Sequence, residues 1–295
     1  MPSHLSSFEI PNILKIVTTK NGLSKIMVTN DACEAEIYLH GGHLTHFQVH
    51  GEAPAVFDAK KSGITPPKSV HSGIPICWPW FGPHPTDSDK PQHGFARDRV
   101  WRLHSTKVLS TKETEVVLTL KDDATTHTLF AHSFLLELTF VLGTSLSITL
   151  KTTNTGNTSF TITQALHSYF AVADIEQMQI RGVEKVPFVD YTDDKRTKIE
   201  NTSLKIHQEI NRVYIATDHT CYIDDLALKR TITIQKSGSN STTIWNPWRD
   251  SGIHDLPDDK YRNFVCIETT NALDDAKVLL PNISTTMTQT ISTQA

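Results

Sequence analysis

The chain has 295 residues, 38% hydrophobic and 20% charged, with a formal net charge of −4. That is globular composition, long enough for a sizeable core, and its slight acidity without basic blocks excludes an electrostatic footprint for nucleic acid. No apolar run approaches the length of a membrane span, and the opening MPSHLSSFEIPN lacks the charged and apolar regions of a secretory signal. Cys33, Cys77, Cys221 and Cys266 lie far apart and form no CxxC pair. Buried thiols in a reducing compartment are therefore expected rather than a disulfide framework, and the cytoplasm is the expected location.

In chain order, the first unusual stretch is HGGHLTH, with His40, His43 and His46 at three-residue steps. Two glycines oppose a helix there, and strand geometry turns His43 to the face opposite His40 and His46. No HExxH motif or Cys/His cluster occurs elsewhere, so no metal site is expected. Next, His71 to Arg97 reads HSGIPICWPWFGPHPTDSDKPQHGFAR, with five prolines, two tryptophans and two phenylalanines. Proline fixes φ and removes a donor, so this segment must wind as irregular turns. Disordered segments are poor in aromatics, so a rigid wall of a binding site is expected instead.

From there the dominant signal is period two. Strands are expected at Glu115–Leu120, at Ser133–Leu142 and at Ser145–Thr152, the last two joined by a tight hairpin at Gly143–Thr144. Leu146, Ile148 and Leu150 share one face of the last strand. After the NTGN turn, Ser159–Phe170 places Phe160, Ile162 and Leu166 on one face and Thr161, Thr163, Ala165, His167 and Tyr169 on the other. Further strands are expected at Arg230–Lys236, Asn263–Thr270 and Thr285–Thr293. No apolar helical stripe exceeds two turns. The expected fold is therefore all-β, a large antiparallel β-sandwich forming a single domain over residues 1–295.

Three places could carry chemistry. His167 stands on a face of small hydroxyl residues that could line a polar cleft, or it is simply a surface or satisfied histidine. Glu268 interrupts the apolar run Phe264–Ile267. A carboxylate there must be paired, hydrogen-bonded or neutralised, either in a functional site or in a structural ion pair. In QHGFAR, Gly94 lets backbone and imidazole approach a ligand, and Arg97 can grip a phosphate or carboxylate. A serine nucleophile is not expected, because GxSxG is absent.

In order, GIPICWPWFG, QHGFAR, ALHSYF, IWNPW and VCIET together resemble the hexose-6-phosphate 1-epimerases (mutarotases) of the aldose 1-epimerase, or galactose-mutarotase-like, superfamily. The resemblance runs from about Gly73 to Glu268. It implies a large antiparallel β-sandwich, a catalytic pair at His167 and Glu268, and substrate contacts from His93, Gln92 and Arg97. It implies no metal or organic cofactor. The expected partner is a small sugar or sugar phosphate, with no nucleic acid and no membrane, and the chain is expected to be a monomer. The expected chemistry is α/β interconversion by ring opening, with His167 as imidazolium acid and Glu268 as carboxylate base, in histidine's usual pH range.

Two positions depart from the family pattern. His71 and Ser72 stand where Arg-Gly is usual, the arginine being part of the phosphate grip, and Asn211 of EINRVY stands where an aspartate is usual. Histidine cannot offer arginine's bidentate fork. Weaker or pH-dependent phosphate recognition through His71 is expected, or a shift to an unphosphorylated aldose. A sugar-binding module without turnover is the reading of another class.

Overall fold

The computed structural model describes residues 5–58, 71–249, 252–253, 255–256 and 258–294. Strict alternation sorts the side chains of the outer sheet. Ser145–Asn154 pairs antiparallel with Phe134–Leu142 across the Gly143–Thr144 turn, and Leu146, Ile148 and Leu150 are fully buried, as the sequence predicts. These strands lie in an eight-stranded sheet ordered Met178–Arg181, Cys221–Asp225, Arg230–Ser237, Ser284–Gln294, Ser145–Asn154, Phe134–Leu142, Glu113–Lys121, Arg102–Ser110. A four-stranded sheet of Leu14–Thr18, Ser24–Thr29, Cys33–Tyr38 and His43–Val49 adds to the same core.

A second eight-stranded sheet carries the site. Its order is Arg196–Ile199, Pro187–Asp190, Ile210–Tyr214, Ser241–Asn246, Phe264–Asn271, Gln164–Leu166, Ile76–Cys77, with Tyr169–Ala171 also paired to Phe264–Asn271. Every residue of Phe264–Asn271 is buried, which is why its sequence shows no alternation. Val265 and Ile267 join the core shared with Leu138 and Ile148 of the other sheet. On the opposite face Phe264 and Cys266 form a separate small cluster with Phe57, Tyr169 and Leu256. Glu268 continues that second face, as strand alternation requires.

The expected continuous strand over Ser159–Phe170 is not observed. It divides into Phe160–Ile162, Gln164–Leu166 and Tyr169–Ala171. Phe160–Ile162 leaves to pair with Lys277–Leu279, while the other two pair with the Glu268 strand. The break follows from the backbone partners: Thr163 N–H donates to Pro79 O and His167 N–H to Pro75 O, carbonyls of the proline-rich segment. Thr161 consequently points to solvent, while Thr163, His167 and Tyr169 of the same expected face reach a common cavity. Among the described residues no helix is long and apolar enough to cross a membrane.

Candidate active site

The proline-rich segment has two layers. Trp78 is fully buried, packed on Phe134 at 4.3 Å, Phe130 at 5.4 Å and Phe95 at 5.6 Å between ring centroids. Trp80 is also buried and its Nε1 donates to Pro91 O at 2.8 Å. The tryptophans are thus anchors in the core and not the cavity wall that the sequence suggests; Phe81, Gly82 and Pro83 face the cavity. Indole bodies are large apolar payloads, so they hold the turns in place from behind.

These turns present His93. Its backbone has φ +65°, and Gly94 follows at φ +72° with the position of a Cβ only 2.0 Å from Trp78 O. Only glycine fits at 94. His93 is held by a reciprocal clamp: its N–H donates to Gly82 O at 2.7 Å, and Gly82 N–H donates to its Nδ1 at 3.1 Å. Two hydrogen bonds of about 1 kcal/mol each offset a left-handed non-glycine residue, which costs about 1–2 kcal/mol. Since Nδ1 accepts from Gly82, the neutral ring carries its proton on Nε2, and the Gln92 side-chain amide 3.2 Å away is then assigned with its oxygen facing that proton. Burial, then the neighbouring Arg97 cation, pushes the His93 imidazole down to about 3, so it remains neutral at physiological pH.

His167 is buried, at 7% exposure, so it is not a surface histidine. Its ring stacks on Tyr169 (4.9 Å, 10°) and meets the edges of Trp245 and His93 at 6.0 and 5.5 Å. The next residue fixes it from below: Ser168 Oγ donates to Gln289 Oε1 at 2.5 Å, and Gln289 donates to Thr269 Oγ1 at 2.9 Å, joining the two sheets. In this position His167 Nε2 lies 3.5 Å from Glu268 Oε1. Glu268 is 1% exposed, and its Oε2 has no hydrogen-bond partner among the described residues.

Burial pushes the Glu268 carboxyl well above the ordinary glutamate range, with Arg97 pulling the other way. Burial also pushes His167 well below the ordinary histidine range, aided by the fixed charge of Arg97. The sequence expectation of an imidazolium in histidine's natural range therefore runs against the burial of this pair. Low dielectric favours neutral imidazole beside protonated carboxyl. The charge-separated and neutral forms contain the same single proton, moved across 3.5 Å. A pair of this kind titrates as a unit. A second proton is gained only well below histidine's range, and the last is lost only well above glutamate's. Turnover at saturating substrate should thus show no histidine step across the usual histidine window, about pH 6 to 7.5, beyond that of the substrate's own phosphate. A one-proton step in kcat centred at about 6.5 that remains after allowance for the substrate phosphate's own ionisation at about pH 6 would show that His167 titrates independently.

All seven residues singled out in the sequence line one cavity of about 290 Å³: His71, Gln92, His93, Arg97, His167, Asn211 and Glu268. That is close to the lower end of ligand pockets, about 300–1,000 Å³. Arg97 is the only arginine or lysine lining it among the described residues; its Nη2 donates to Gln92 O at 2.9 Å. Asn211 comes from the Ile210–Tyr214 strand. His71 Nδ1 lies 2.6 Å from Asp255 Oδ1, and His71 N–H donates to Asp255 Oδ2 at 2.8 Å. Burial would raise Asp255, but these bonds hold it below the ordinary carboxylate range. The Nδ1 proton is therefore committed to Asp255. Sequence reasoning missed Asp255, which is 184 positions away and carries no local signal. It also gave no role to Tyr169, Trp245 or Thr243, although the first two lie inside ALHSYF and IWNPW. Behind the cavity, His43 Nε2 bonds Ser72 O at 2.7 Å, and burial lowers that ring to about 4, a structural use of the HGGHLTH motif.

The profile of the aldose 1-epimerase family matches residues 24–292. A protein of Cenchrus ciliaris named "Putative glucose-6-phosphate 1-epimerase" is 33% identical over 266 residues, covering 86% of this chain and 80% of the relative. A protein of the same name from Salmonella typhimurium is 31% identical, covering 85% of this chain and 84% of the relative. A crystal structure described as a "putative mutarotase" from Salmonella typhimurium superposes with a TM-score of 0.89 at 26% identity, over 99% of this chain and 98% of the other.

Proposed function

Because the chain belongs to the aldose 1-epimerase family, we propose that it is an isomerase interconverting the α and β anomers of a hexose 6-phosphate, glucose 6-phosphate first among them. The observation that carries this reading is the buried pair His167–Glu268, 3.5 Å apart at the wall of a sugar-sized cavity. A pure binding module has no use for a matched proton donor and acceptor.

The reaction needs two proton transfers. Ring opening breaks the C1–O5 bond: His167 gives its proton to O5 while Glu268 removes the O1 proton, and O1 becomes the aldehyde oxygen. The resting proton must first pass from Glu268 to His167, and Arg97 favours that transfer by stabilising the carboxylate. Rotation about C1–C2 then presents the other carbonyl face, and the reverse transfers close the ring. His93, neutral with its proton on Nε2, suits stabilising O1 as it becomes a carbonyl. The protons balance over the cycle. The buried thiols of all four cysteines support a reducing compartment, on which we place the protein in the cytoplasm.

A second reading, mutarotation of an unphosphorylated aldose, is favoured by a specific feature. Arg97 is the sole permanent side-chain cation of the cavity among the described residues, and His71 replaces the usual arginine. Comparing initial anomerisation rates by polarimetry for glucose 6-phosphate and glucose separates them. Acceleration with the phosphate alone supports the first reading; acceleration with glucose alone supports the second. Tight sugar binding in titration without acceleration contradicts both. On the first reading, His71→Arg restores a fork beside the phosphate and should lower KM for the hexose 6-phosphate about tenfold. An unchanged KM would remove His71 from the phosphate contact.

A further inference from the structure

The sheet order points to a third substrate contact. The Glu268 strand has the His167 segment on one side and Ser241–Asn246 on the other. In the register of the second pair, Thr243 stands directly opposite Glu268. Directly opposed residues share a face, with Cβ atoms about 4.5–5.5 Å apart. Thr243 is 2% exposed, lines the cavity, and its Oγ1 has no hydrogen-bond partner among the described residues. The threonines around it are satisfied: Thr242 Oγ1 accepts from Lys236 at 2.7 Å and Thr270 Oγ1 pairs with Ser241 Oγ at 2.8 Å. Across the next strand pair the opposed cavity residue is Val213, which has Thr243's shape without a hydroxyl. A valine at 243 would fit the same pleat and spare the cost of an unsatisfied buried hydroxyl.

His167, Glu268 and Thr243 therefore stand in a row across three neighbouring segments of one sheet. Around its anomeric centre an aldose presents O5, C1–O1 and C2–O2 in the same order. We propose that Thr243 is a substrate-binding residue that hydrogen-bonds the C2 hydroxyl, making the cavity selective for sugars hydroxylated at C2. This rests on the mutarotase reading: with O5 at His167 and O1 at Glu268, the remaining neighbour of C1 is C2, and it falls over Thr243. The contact also has a mechanical consequence. Once the ring opens, C1 turns about C1–C2, and an anchored O2 keeps C2 still while it turns.

The test follows α/β exchange by NMR for wild type, Thr243→Val and Thr243→Ser. Substrates are glucose 6-phosphate and 2-deoxyglucose 6-phosphate, with glucose and 2-deoxyglucose in parallel and uncatalysed exchange subtracted. One hydrogen bond corresponds to about tenfold in kcat/KM. Wild type should lose about that factor on the 2-deoxy sugar. Thr243→Val should lose it on the 2-hydroxy sugar and nothing further on the 2-deoxy sugar, and Thr243→Ser should restore it. Equal losses on both sugars would show a structural role, and no loss on either would show no contact; both overturn the assignment. Wild type inactive on all four sugars would overturn the mutarotase reading, and this contact with it.

Discussion

Glu268→Gln is expected to lower kcat by about 10²–10⁴-fold, the contribution of one general acid–base group, with little change in KM. The amide has the shape of the carboxyl but cannot accept the O1 proton. It also resembles the protonated carboxyl, the form that burial favours at Glu268. This sets the sign of the stability effect. A buried carboxyl with a raised folded pKa is neutral in the folded chain and ionised in the unfolded chain near neutrality. Its stability contribution is greatest below the unfolded value of about 4.3 and falls as pH rises above it. Glutamine is free of that loss, so the variant should melt at pH 7 no lower than wild type. An inactive variant with an undiminished Tm separates chemistry from folding. Near-normal kcat would remove Glu268 from the mechanism.

His167→Asn should cost a similar factor in kcat, and its other effects differ. The imidazole is stacked on Tyr169 at 4.9 Å and sits against Trp245 and His93. Aromatic pairs contribute about 0.5–1.5 kcal/mol beyond area burial, so this variant should also melt a few degrees lower. Groups that act as a unit give non-additive losses. The double variant His167→Asn, Glu268→Gln should therefore be scarcely slower than either single one. Multiplicative losses would mean that the two residues act in separate steps.

Much of this architecture is legible in the chain, for a reason visible in the burial pattern. Strands such as Phe134–Leu142 and Ser145–Asn154 face water on one side, so each buried residue alternates with a partly exposed one. Leu14–Thr18, Ser24–Thr29 and Cys33–Tyr38 are shorter and alternate only in part, a weaker signal. The signal fails where both faces are covered, as along Phe264–Asn271, and where the chain changes partners every few residues, as along Ser159–Phe170. In the second case the strand breaks are set by Pro75 and Pro79 carbonyls about 80 to 90 residues upstream, which no local pattern records.

The site was legible unevenly for related reasons. Glu268 stands out because an acid in an apolar run is costly wherever it lies. His167 could be placed on the correct face but not opposite Glu268, since that meeting depends on the pairing of Tyr169 with Cys266. The proline-rich segment reads as rigid from composition. Its division into buried tryptophan anchors and a cavity face of Phe81, Gly82 and Pro83 depends on Phe130, at the end of the short helix Ala124–Leu129, and on Phe134 from the other eight-stranded sheet. His71 was flagged by its departure from a family pattern, but its Asp255 partner emerges only in three dimensions.

The most direct measurement is magnetisation exchange by NMR between the α and β anomers of glucose 6-phosphate, with wild type and Glu268→Gln compared at equal concentration. Exchange accelerated by wild type and returned close to the uncatalysed rate by the single amide substitution is the result expected of a buried His167–Glu268 proton pair. Equal acceleration by both proteins would contradict it.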